Sequence, residues 1–218
     1  MQADFQDHFD EELDIVTHAL WGSDTIDKLE VLYRRAYYCT VTPREAEFRP
    51  ELCPSNEELE WVVAELNQST DRRRSGRLIR ILKYEYRDWM APSLVRFLEG
   101  PSSALAAEVL FILRGTKAVG EYANLFIKIM HGQPWDHVGS CQRIAMSCVD
   151  EYLYRHSHPM LLHELLNVYE SEYDREVRDE ALRSLGRAVD IYDLPAATIL
   201  SRVKDRLADE KSQDKTAT

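Results

Sequence analysis

Three stretches of this chain fall into one register when they are started at Ser102, Val138 and Asp174, a constant spacing of 36 residues. Their apolar columns agree. Leu105 aligns with Cys141 and Val177, Val109 with Ala145 and Ala181, Leu110 with Met146 and Leu182, and Leu113 with Val149 and Leu185. Within each stretch these positions lie on one side of a helix. A looser copy begins about 31 residues earlier, with Leu78, Ile79 and Leu82 in the last three columns and Arg74 in the first. A helical hairpin of this size is too thin to bury its own apolar side. Repeated hairpins hold together only by stacking, which makes one continuous core.

The rest of the chain suits helices. It has 218 residues with only 8 glycines and 8 prolines, 44% hydrophobic and 30% charged. Few turn formers disfavour an all-β protein, and the balance of apolar to charged residues predicts an ordered, soluble one. No apolar run nears the roughly 20 residues that span a bilayer. The start, MQADFQDHFDEELD, is acidic and has neither the basic nor the apolar stretch of a secretory signal. A cytoplasmic protein is the expectation. The four cysteines (Cys39, Cys53, Cys141, Cys148) form no CxxC pair and read as buried thiols.

Phe5, Phe9, Leu13, Val16 and Leu20 predict a first helix, and Ile26, Leu29, Tyr33, Ala36 and Tyr37 a second, started by Ser23 or Asp24. TVTPREAEFRPELCP, residues 40–54, has three prolines and reads as a long loop or broken helix. Ser55 and Glu58 have the capping-box form before Leu59, Val62, Val63 and Leu66. A further helix starts near Asp71. Pro92 opens another, stopped at Glu99-Gly100-Pro101, and Ser102 or Ser103 caps the next. YANLFIKIM, SCQRIAMSCVDEYLY and LLHELLNVYE are helical, with HGQPWDHVG and Ser157-His158-Pro159 as breaks.

In the last unit, Asp174, Val177-Arg178, Ala181-Leu182 and Leu185-Gly186 resemble the second helix of a HEAT-type repeat. In that family an aspartate caps this helix and the aliphatics pack between layers. A proline often begins the first helix, where Pro92 and Pro159 stand. The resemblance covers roughly Ser55 to Asp190. The middle units lack the Val-Arg pair and a capping aspartate at the matching place. The chain reads as all-α, with irregular N-terminal helices and a proline-containing loop over 1–54 and a disordered tail over 208–218. The resemblance implies a right-handed α-α superhelix of HEAT-like hairpins over residues 55–207. It also implies a scaffold that presents a curved surface to another macromolecule.

The net charge of −11 argues against a non-specific grip on nucleic acid and favours a basic or mixed-charge protein partner. The charge is uneven. Nine acids face Lys28 alone between Met1 and Glu30, Asp4, Asp7, Asp10, Glu11, Glu12 and Asp14 among them, and seven bases lie between Arg72 and Arg87. Arg73, Arg77, Arg80, Tyr84 and Arg87 follow helical steps of four and three. They read either as a stripe for phosphate or an acidic peptide, or as a solvated face. HEAT-like DNA glycosylases hold DNA on a comparable basic surface, which makes nucleic-acid binding the alternative. Trp135 is either an interface anchor or a cover for the gap between repeats. Arg143, Glu180, Arg183 and Arg187 lie on the outer side of the second helices and are expected to bind. His156, His158, His163 and Glu164 are metal-ligand types, and HEAT-repeat deoxyhypusine hydroxylases use paired His-Glu motifs. Only His163-Glu164 has that form here, so no metal or cofactor is expected. GxSxG, HExxH and a glycine-rich phosphate loop are missing from the sequence. The expectation is a protein-binding scaffold or inhibitor without catalysis, such as an adaptor or a toxin-neutralising immunity protein.

Overall fold

The computed structural model describes residues 25–41, 43, 53–100, 102–171, 174–191 and 194–216. The expected first helix over Phe5–Leu20, the acidic residues along it and most of the proline-containing loop lie outside these residues. Among the described residues every regular element is helical. No helix there is long and apolar enough to cross a membrane. The chain divides into two units between Tyr86 and Arg87.

The first unit contains α1 (Thr25–Val41), α2 (Asn56–Gln68) and α3 (Arg72–Tyr84). α3 packs on both α1 and α2, burying Leu78, Ile79, Ile81 and Leu82. The predicted capping box is present: Glu58 N–H donates to Ser55 Oγ (3.2 Å) and Ser55 N–H to Glu58 Oε2 (2.7 Å). Buried Arg35 reaches across from α1 to the Glu58 carboxylate (2.5 Å) and to the Cys53 carbonyl (2.7 Å). The cysteine expectation needs correction here. Cys39, in the last turn of α1, forms a disulfide with Cys53, just before the α2 cap. The pairing arises because Arg35 and the cap bring the start of α2 back against the end of α1, which no local spacing signals.

The second unit contains α4 (Ala91–Val95), which continues as a 3₁₀ turn (Arg96–Glu99), then α5 (Ser103–Leu113), α6 (Ala118–Glu121), α7 (Ala123–Met130), α8 (Ser140–Arg155), α9 (Pro159–Ser171), α10 (Arg175–Ala188) and α11 (Ala196–Thr216). Residues 208–216, expected in a disordered tail, instead continue α11, which packs on α9 and α10. Its helices pack in pairs: α4 and its 3₁₀ turn with α5, α7 with α8, α9 with α10. Neighbouring pairs then meet like with like. α5 packs on α8 and α8 on α10, while the 3₁₀ turn, α7, α9 and α11 touch in sequence. The 36-residue register is therefore a row of second helices, α5, α8 and α10. Its columns are the seams. Leu105 and Leu182 are half-buried, and the other ten column residues are buried. The thiols of Cys141 and Cys148 donate across the first seam to the carbonyls of Ser103 (3.3 Å) and Leu110 (3.2 Å). Burial, with Asp136 nearby, pushes Cys141 up to about 12, and burial also pushes Cys148 up, so both are inert thiols.

Each second helix has an N-terminal cap, supplied differently. Ser102 Oγ accepts from Leu105 N–H (3.4 Å). Asp174 Oδ1 accepts from Glu176 (2.8 Å) and Val177 (3.2 Å) N–H. At α8 the residue before the helix is Gly139, with φ +64°, and Asp136 reaches over it to accept from Gln142 N–H (2.9 Å). The capping carboxylate that the middle unit lacks at Val138 thus comes from two residues earlier.

Candidate binding surface

The row of second helices turns one side to solvent. Phe111, Ser147 and Arg183 occupy the same register position on α5, α8 and α10, and Phe111 is 49% exposed. Tyr154, 56% exposed, lies at the end of α8. Ion pairs cross both seams beside these residues. Arg114, the residue that caps the end of α5, binds Glu151 of α8 (2.8 Å), and Arg143 of α8 binds Glu176 of α10 (2.7 Å). Arg187 of α10 grips Asp150 of α8 through Nε (2.9 Å) and Nη2 (2.6 Å).

The sequence-predicted residues Arg143, Glu180, Arg183 and Arg187 come together on this row. Glu180 receives Arg187 at 3.0 Å and is also paired with Arg183. The Asp150–Arg187 pair is the most enclosed. Burial pushes Asp150 up to about 6 although Arg187, Ser184 and Arg114 oppose the shift. Burial alone pulls Arg187 down, but Asp150 and Glu180 outweigh it and hold the guanidinium above its ordinary value. The carboxylate bears the desolvation cost because its side chain is 3% exposed against 31% for Arg187.

The other predicted residues are placed elsewhere. Arg73, Arg77 and Arg80 are exposed along α3, while Arg74 turns to Glu65 of α2. Tyr84 packs edge-on against Tyr33 (5.8 Å) and Tyr37 (5.5 Å) of α1. α3 ends at Tyr84, so Arg87 is not on the stripe's helix and falls in the second unit. Trp135 covers Gly100, where a Cβ would stand 2.9 Å from the indole and φ is +104°. Its indole thus lies against the turn between the 3₁₀ turn and α5. His156 stacks on Tyr152 (4.6 Å) and His158 accepts from Leu161 N–H (3.3 Å). Both are turn residues. Glu164 meets His131, from the end of α7, at 3.0 Å, with His163 at 3.6 Å. Burial pushes Glu164 up, but hydrogen bonds from His131 and Asn167 outweigh it and hold the carboxyl below its ordinary value.

Sequence reading misses a groove of about 650 Å³ on the first-helix side, lined by Arg96, Glu121, Asn124, Lys128, His158 and Met160 among others. Arg96 lies over the Phe97 ring (4.6 Å), and burial lowers its pKa. The groove's walls come from three separated segments, so no contiguous motif marks it.

No family model, no curated protein and no solved structure matches the chain.

Proposed function

We propose that this chain is a protein-binding scaffold or inhibitor without catalysis, built as a right-handed, HEAT-like α-solenoid. The observation that supports the reading is the solvent side of α5, α8 and α10. It combines exposed aromatics, Phe111 and Tyr154, with charges fixed in place by ion pairs. Exposed aromatics and ordered charges on one row of helices suit a macromolecular interface. The net charge of −11 favours a basic or mixed-charge protein, and a toxin-neutralising immunity protein or an adaptor is the concrete form. A Cys39–Cys53 disulfide persists best where conditions are oxidising. The test is affinity capture from the native host, followed by calorimetric titration of the purified partner against wild type, Phe111→Ala and Arg183→Glu. A loss of at least tenfold in both variants is expected. Unchanged affinity in both overturns the assignment of this face.

The second reading is nucleic-acid binding, favoured by the exposed Arg73, Arg77 and Arg80 on α3. Duplex DNA titrated at two salt concentrations separates the two. Tight, salt-sensitive binding that is lost in Arg77→Glu/Arg80→Glu establishes the second reading in place of the first.

A further inference from the structure

Three donor atoms from separate segments of the first unit converge: the sulfurs of Cys39, in α1, and Cys53, before the α2 cap, and a carboxylate oxygen of Glu85, just after α3, all within 4.8 Å of one another. We propose that, once the Cys39–Cys53 bond is reduced, these residues form a zinc site, so that metal occupancy and the disulfide exclude each other.

The carriers are held by contacts that do not depend on the disulfide. Cys39 sits in the last turn of α1. The Cys53 carbonyl is tied to buried Arg35, which is itself paired with Glu58. Glu85 is the buried C-terminal cap of α3, directly after Tyr84, which packs on Tyr33 and Tyr37. Reduction therefore frees two thiols without releasing the segments that carry them. In tetrahedral zinc, with bonds of roughly 2.3 Å to sulfur and 2.1 Å to oxygen, the donors stand roughly 3.5–3.8 Å apart. That is inside the observed 4.8 Å limit, and the sulfurs move apart to this spacing once the bond between them is broken. Two thiolates and one carboxylate are a borderline-soft set suited to Zn²⁺, with a fourth position left for water. The positive ion also removes the repulsion that two thiolates would meet beside the carboxylate.

The chemistry balances in two steps. A dithiol reductant gives two electrons and two protons to the disulfide, yielding two thiols and the cyclic oxidised reductant. Zn²⁺ then binds, and the two thiols release two protons as they become ligands.

The experiment uses the full chain, reduced and then freed of reductant under inert gas, with Co²⁺ and Zn²⁺ as probes. The expected result is one Co²⁺ per chain, with sulfur-to-metal charge-transfer absorption and tetrahedral bands, displaced by stoichiometric Zn²⁺. Glu85→Gln should weaken binding at least tenfold. Cys39→Ser/Cys53→Ser should abolish it, and Cys141→Ser/Cys148→Ser should leave it unchanged. Circular dichroism confirms that each variant is folded, and Cys39→Ala/Cys53→Ala replaces the serine variant if that one is not. The oxidised chain should take up no metal. The proposal is overturned by absence of stoichiometric uptake in the reduced wild type, by uptake that survives loss of both cysteines, or by Glu85→Gln binding as tightly as wild type.

Discussion

Replacing Arg187 by methionine tests the seam between α8 and α10 with a defined pH signature. In the wild type, Asp150 is nearly enclosed and pushed up to about 6 from 3.8. Its folded form favours the proton, so its contribution to stability is fully present below 3.8 and is lost as pH rises through 6. A rise of that size corresponds to about 3 kcal/mol. Arg187 is the largest influence opposing the rise, so Arg187→Met raises Asp150 further. At pH 8 the variant holds a buried carboxylate without its counter-ion, and the expected loss is about 3–5 kcal/mol. At pH 5 the carboxyl is protonated in the variant. The loss then shrinks to the hydrogen bonds with Asp150 and Glu180, about 1 kcal/mol. Urea denaturation followed by circular dichroism at the two pH values measures both figures. An equal loss at both, or a larger one at pH 5, refutes the reasoning.

Three further substitutions probe the surroundings. Gly186→Ala should lower the melting temperature. Its Cβ would stand 2.7 Å from the Ile191 carbonyl, a backbone clash costing more than the roughly 1 kcal/mol of helix propensity gained; a stabilised variant contradicts this turn. Arg206 donates to the carbonyls of Ala188 (2.6 Å), Leu153 (3.2 Å) and His156 (3.2 Å). Arg206→Ala should cost about 2 kcal/mol and speed amide exchange in the last turns of α8 and α10, and unchanged exchange there removes the stitch. Phe111→Ala should shift stability by less than about 1 kcal/mol, because half its side chain already meets water; a larger loss in thermal denaturation marks it as core rather than surface.

The parts of the fold visible in the sequence are those recorded as burial at a fixed period. The columns through Val109, Ala145 and Ala181 were legible because each seam must be apolar at the same height. The caps at Ser55 and Asp174 were legible because a capping oxygen stands at a known offset from the amides it serves. What was hidden depends on the chain meeting itself. Asp136 caps α8 from across a left-handed Gly139, Arg206 reaches carbonyls 18 to 53 residues away, and Cys39 finds Cys53 through Arg35. Of the candidate site, the sequence placed Arg143, Glu180, Arg183 and Arg187 on the outer side of the second helices. It did not show that they are tied into ion pairs, since those partners, Glu176 and Asp150 among them, are chosen by the stacking. His131 beside Glu164 was hidden for the same reason.

The most direct test of the central claim, that the row of second helices is the working surface, is photo-cross-linking. A photoreactive residue is placed at Phe111, at Arg183 and, on the first-helix side, at Lys128, in the presence of the isolated partner. Adducts to a protein at positions 111 and 183 and none at 128 are predicted. Adducts at 128 alone, or adducts to nucleic acid in place of protein, contradict the account.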